Sequence, residues 1–160
     1  MIKKHILKIK TKPCALAKIK GSQDYPNVHG IVYFYKVSEG VLVSFKMNGL
    51  PVSNNICKQP IFAAHIHNGG SCTGNNSDPF ANAMMHYNPN GCEHPYHAGD
   101  LPPLFSVDGI VFSVFLTNRF CVNEIMGKTL IIHSAPDDFT TQPSGNSGTK
   151  IACGIISPVH

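Results

Sequence analysis

The sequence predicts an all-β fold. Short apolar runs are separated by turn residues, with 14 glycines and 12 prolines punctuating 160 residues. No apolar pattern with a 3.6-residue period lasts longer than a turn or two, which argues against a substantial helix. The chain is long enough to bury a core as one domain. Its apolar fraction of 42% and charged fraction of 14% describe a folded chain, not a disordered one.

Each strand is expected from its own pattern. Residues 14–20 (CALAKIK), 30–37 (GIVYFYKV) and 40–47 (GVLVSFKM) alternate or run apolar, with DYPN and SEG turns between them. The second and third of these read as a hairpin. Further strands are expected at 61–67, 110–117, 128–133 and 150–156. Residues 68–108 and 134–149 are rich in Gly, Asn, Pro, Ser and Asp and are too long for hairpin turns. Structureless loops of that length in a compact domain are functional or disordered, and the histidines in and beside them favour function.

The net charge is +4. Much of it comes from Lys3, Lys4, Lys8, Lys10, Lys12, Lys18 and Lys20, which read as a solvated basic arm over 1–12 followed by an edge strand, with one domain over 13–160. No interleaved exposed aromatics or nucleic-acid module accompany this charge, so nucleic acid is not expected as a partner. No apolar stretch approaches the ~18 residues of a membrane span, so no membrane is expected either. The start, MIKKHILKIKTK, lacks the apolar stretch and cleavage site of a signal peptide. The cytoplasm or a spore or cell-envelope association is therefore the expectation.

The chemistry lies in six of the nine histidines. His65 and His67 sit two apart at the end of a strand, so both side chains face one way. His94, His97 and Asp100 follow one another at spacings of three in a Gly/Pro-containing loop, a nitrogen and oxygen donor set that suits zinc once a fourth ligand joins. His86 lies between these groups, and His133 closes the strand at 128–133 and can approach the first pair across a sheet. His29 reads as a satisfied surface or core residue, and His5 and His160 as terminal ones, none of them a ligand.

These residues stand in the motifs AHIHNGGSC (64–72), HYNP (86–89), HAGDLP (97–102), IIHSAPDD (131–138) and GNSGTKIACGII (145–156). In order and spacing they resemble the copper/zinc superoxide dismutases, particularly bacterial forms, from about residue 13 to 156. The resemblance implies a Greek-key β-sandwich or flattened barrel of about eight strands with long metal-binding loops. It implies copper bound by His65, His67, His86 and His133, and zinc bound by His86, His94, His97 and Asp100. Asp137 stands where the family places a carboxylate linking a copper-bound to a zinc-bound histidine, and Cys72 and Cys153 stand at the family's disulfide. The implied substrate is the superoxide anion, with His86 releasing copper and taking a proton during turnover, and a homodimer as one form that relatives adopt.

Some positions depart from the family. Lys150 occupies the place of the active-site arginine, which keeps the charge and loses the planar fork that orients an anion. Attraction with poorer orientation is the expectation. The 134–149 loop looks short, as does the segment between His86 and His94. Met84 and Met85 stand where small residues are usual. Their plainest role is loop packing, and their soft thioethers offer transient copper delivery as an alternative. Cys57 lies just before the HIH strand and Cys92 inside the zinc loop, and the two are candidates for a second disulfide that would clamp both metal loops. Cys14 and Cys121 read as buried free thiols, or less simply as a pair.

Two alternatives compete with an active dismutase. The same fold could bind zinc or copper without fast turnover, a reading that Lys150 and the altered loops support and that the complete histidine set opposes. A cupin-like iron or manganese oxygenase also begins with HxH on a strand. It expects a Glu soon afterwards, and here no acidic residue follows His67 until Asp78.

Overall fold

The computed structural model describes residues 12–159, so the readings of the basic arm (save Lys12), of His5 and of His160 lie outside the described residues. The strands are β1 (Ala15–Gly21), β2 (His29–Val37), β3 (Gly40–Asn48), β4 (Ile61–Phe62), β5 (Ala64–His67), β6 (Leu104–Phe105), β7 (Val111–Thr117), β8 (Thr129–His133) and β9 (Lys150–Pro158). One short helix, α1 (Val122–Ile125), separates β7 from β8. No helix among the described residues is long and apolar enough to cross a membrane.

Seven strands form one curled antiparallel sheet in the order β5-β8-β9-β1-β2-β3-β7, and β4 pairs with β6 beside it. The chain crosses from β3 to the β5 edge, back to β7 beside β3, and again to β8 beside β5. These long crossovers between non-sequential neighbours are connections of Greek-key type. A single apolar cluster joins Phe45 of β3, Val32 of β2, Ile66 of β5 and Leu130 of β8, so the sheet curls until its two ends share one enclosed face. Alternation produces this locally. In β1, Ala15, Ala17 and Ile19 are buried while Lys18 and Lys20 are exposed.

Three expectations need correction. β1 is not an edge strand: it lies between β9 and β2, and the true edges of the large sheet are β5 and β7. Its lysines therefore solvate the outer face of an interior strand. The strand expected over 61–67 is broken at Ala63, whose N–H donates to Ala135 O and whose carbonyl accepts from His133 N, both at 2.9 Å. The third correction concerns cysteines. Cys72 and Cys153 are joined, but Cys57 and Cys92 are free and exposed, so no second disulfide clamps the loops. Cys14 and Cys121 are also free and exposed, neither buried nor paired. Nearness to a loop in sequence does not supply the ~5.5–6 Å Cα separation that a bridge requires.

Candidate metal centre

The alternation of β5 splits AHIH between two environments. Ala64 and Ile66 enter the main core, and His65 and His67 project from the other face, all four being buried. β8 pairs with β5 so that His65 is opposite Ile131 and His67 opposite Thr129. An irregularity in the β8–β9 pairing between Ile132 and His133 then brings His133 to the same side. His67 Nε2 and His133 Nε2 lie 3.3 Å apart.

The free edge of β5 is covered by the long loop. Ile66 N donates to Gly99 O, Tyr87 N donates to Ile66 O, and Gly99 N donates to Tyr87 O. This backbone pairing draws His86 beside His67 and Asp100 beside His65. His94 and His97 come with the same loop, which is held from outside. Gln142 clasps the His94 backbone at both N and O (3.0 and 2.7 Å), and Arg119 donates to the carbonyls of Pro95, His97 and Asp100.

Two groups of four result. His65, His67, His86 and His133 form one, and His86, His94, His97 and Asp100 form the other. Within each, one donor atom per residue lies within 4.8 Å of the rest, every member is buried, and His86 belongs to both.

The hydrogen bonds show which ring atoms remain available. Asp137 takes His65 Nε2 on Oδ2 and His94 Nε2 on Oδ1, each at 2.8 Å. A carboxylate only accepts, so both rings donate from Nε2, and Nδ1 is the nitrogen each has left to face a metal. His67 donates from Nδ1 to Met84 O (2.8 Å), leaving its Nε2 lone pair facing His133. His86 directs Nδ1 toward Asp100 and His97 (2.8 and 3.4 Å), and its Nε2 is buried without a partner. His65 Nδ1 is likewise buried and unpartnered. Burying such lone pairs without partners is costly, and a cation would satisfy them.

The spacing supports the same conclusion. Donors 2.0–2.1 Å from a tetrahedral zinc stand roughly 3.3 Å from one another. The observed separations are 3.0 Å from His94 Nδ1 to Asp100 Oδ2, 3.3 Å from His97 Nδ1 to the same oxygen, and 3.4 Å between His86 and His97 Nδ1. Three nitrogens and one carboxylate oxygen suit zinc, and four imidazoles suit copper. The residues fit both metals.

Burial also tunes protonation. It pushes His67 down to about 3 and His133 well below the usual histidine range, helped in both by neighbouring histidines. Burial lowers His65 too, against the opposing hydrogen bond to Asp137. These three rings are neutral at physiological pH, as metal ligation requires. Burial would raise Asp100 and Asp137. Hydrogen bonds from His86 to the first, and from His65, Phe139 N and His94 to the second, outweigh it and hold both carboxyls below their ordinary value.

A sequence model of the copper/zinc superoxide dismutase (SODC) family matches residues 28–156. The chain belongs to that family. It is 33% identical over 144 residues to superoxide dismutase [Cu-Zn] 2 of Aquifex aeolicus, an alignment covering 81% of this chain and 79% of that one. It is also 36% identical over 107 residues to the superoxide dismutase-like protein YojM of Bacillus subtilis, covering 58% of this chain and 53% of the relative. Among solved structures, the Cu/Zn superoxide dismutase from Brucella abortus superposes with a TM-score of 0.74 at 25% identity, covering 88% of this chain and 98% of that one. The curled sheet is thus the β-sandwich of this family, and the two buried groups are suited to copper (the copper-type group) and to zinc (the zinc-type group).

The predicted histidines, Asp100 and Asp137 come together, and Lys150 lies beside them. With Asp78, Met84, His67, His86 and His133 it lines a cavity of about 270 Å³ over the copper-type group. Its ammonium is engaged by Asp78 Oδ2 at 2.6 Å and Phe80 O at 3.2 Å. Met84 and Met85 are exposed at the rim. His29 is exposed and outside the centre, as expected.

Sequence reasoning missed Asp78, Arg119, Gln142 and Gly145. Gly145 has φ +68°, and a Cβ there would stand 2.0 Å from Asp137 Oδ1 and 2.7 Å from His94 Nε2. Only glycine lets the loop pass this close to the carboxylate. One signal was available, since Arg119 is the only arginine in the chain.

Proposed function

We propose that this protein is a superoxide dismutase, with copper held by His65, His67, His86 and His133 and zinc by His86, His94, His97 and Asp100. His86 carries the proposal. It belongs to both groups, with Nδ1 on the zinc side and a buried, unpartnered Nε2 on the copper side.

Two superoxide anions and two protons give one dioxygen and one hydrogen peroxide. Bound copper would supply the one-electron couple, and bound zinc a fixed positive charge without redox chemistry. His86 Nε2 is the atom on which the chain can hold one of the protons, because its other nitrogen is turned to Asp100 and His97. The second proton comes from solvent. Asp137 holds the rings of His65 and His94, so the two halves keep their relative geometry through the cycle. Lys150, in the same cavity, contributes positive charge toward an incoming anion.

A second reading, a metal protein of this fold without fast turnover, draws support from the ion pair of Lys150 with Asp78, which spends part of that charge. Stopped-flow decay of superoxide separates the two. Protein loaded with copper and zinc is expected to accelerate the decay, and His133→Gln to abolish the acceleration. Equal decay with both proteins would overturn the dismutase reading.

A further inference from the structure

We propose that Asp78 is a positioning residue that restrains anion access to the copper half by holding Lys150. The substrate in this inference rests on the dismutase reading, but the anion chemistry can be tested without turnover.

Lys150 opens β9 directly opposite His133. Among the described residues lining the cavity, Asp78 and Lys150 are the only ones besides histidine that bear a formal charge. The Lys150 side chain is largely sheltered at 16% exposure, while Asp78 is the more open at 37%. An ammonium has three donors. Two are used, on Asp78 Oδ2 and Phe80 O, and one remains for an anion. The incoming ion therefore meets an ion pair whose negative end is nearer to solvent.

Asp78 is fixed where it stands. Its Oδ1 accepts from Phe80 N at 2.9 Å, and its carbonyl accepts from Asn75 N and Ala81 N. Phe80 packs with Ile131 and with the Cys72–Cys153 disulfide. The restraint is thus built into the loop and is not a chance meeting of two flexible chains. Asp78→Asn is the informative change: it keeps an oxygen for Phe80 N and removes the charge that faces Lys150.

The experiment titrates azide against the copper(II) spectrum of protein loaded with copper and zinc. It compares wild type, Asp78→Asn, Asp78→Glu, Lys150→Ala and the Asn/Ala double variant. One unit charge at about 4 Å in a water-like dielectric corresponds to roughly a fivefold change in affinity. Asp78→Asn is expected to bind azide about that much more tightly at low salt. The gain should shrink at about 0.5 M salt through screening, and shrink again in the Lys150→Ala background. Asp78→Glu should keep the wild-type affinity. Unchanged or weaker azide binding by Asp78→Asn, or the same gain without Lys150, would overturn the proposal. If near-UV circular dichroism shows that Asp78→Asn does not fold, Asp78→Ser takes its place under the same criteria. Should azide follow the expected pattern while superoxide is not turned over, the dismutase reading fails and this one stands.

Discussion

His94 Nε2 lies 2.8 Å from Asp137 Oδ1, a contact that ties a zinc-type ligand to a carboxylate outside both donor groups. The other oxygen of Asp137 holds His65, so one side chain fixes a ring in each half. Partners of this kind orient a ligand and raise its basicity, and losing one typically weakens metal affinity 10–100-fold. Asp137→Ala is expected to weaken zinc binding by about that factor, measured by competition with a chromophoric chelator. Unchanged zinc affinity would show that the loop alone positions His94.

The metal-free protein should lose stability as pH falls from neutral. His65, His67 and His133 all have folded values below the 6.5 of the unfolded chain, His67 at about 3. Between those limits the unfolded state binds more protons, so unfolding becomes easier as pH drops through 6.5 and continues to do so toward about 3. Asp100 and Asp137, also lowered in the folded state, add a loss of the same sign below 3.8. Each tenfold difference in proton affinity between the folded and unfolded chain corresponds to about 1.4 kcal/mol, so several kcal/mol should disappear by pH 4. Thermal unfolding of chelator-treated protein between pH 7.5 and 4 checks this, and a flat profile would contradict it.

Met84 is held at φ 64°, ψ −151°, a region that side chains avoid and glycine adopts freely. Its carbonyl is thereby aimed at His67 Nδ1, and its side chain is largely exposed. Met84→Gly should relieve strain while losing little packing. Allowing for the greater freedom of glycine in the unfolded chain, a net gain of about 1 kcal/mol is expected. Urea unfolding measures it, and a loss of stability would mean that the thioether packs more than its exposure indicates.

The Cys72–Cys153 bridge spans 81 residues. In the chain-entropy account a loop of that size stabilises the fold by about 4.5 kcal/mol. It also anchors Phe80, whose carbonyl engages Lys150. Reduction should lower stability by that order and loosen Lys150. The first is read from denaturant midpoints with and without reductant, the second from azide affinity. If neither changes, the loop is fixed by other contacts.

The donor clusters were partly legible because some of their parts are local, while the place of His86 in both came from the family resemblance. The two-residue spacing in β5 and the spacing of three in the zinc-type loop place donors together whatever the rest of the chain does. His133 could be expected from the end of a strand, but the pairing irregularity that turns it inward could not. The groups that hold the loops were not legible. Arg119, Gln142 and Asp78 act on residues far away in sequence, largely by bonding to backbone or to one distant side chain, and no spacing announces such contacts. The cysteines show the same limit. Cys57 and Cys92 lie beside and within the metal loops in sequence yet remain unpaired, and Lys18 and Lys20 suggested an edge where the sheet has an interior strand.

On the proposed function, this donor set supports copper-dependent dismutation. Pulse radiolysis, comparing zinc-only protein with protein carrying one copper and one zinc, tests it most directly. Fast superoxide decay that appears only with copper is the predicted result. Full copper occupancy with decay no faster than in zinc-only protein would contradict it.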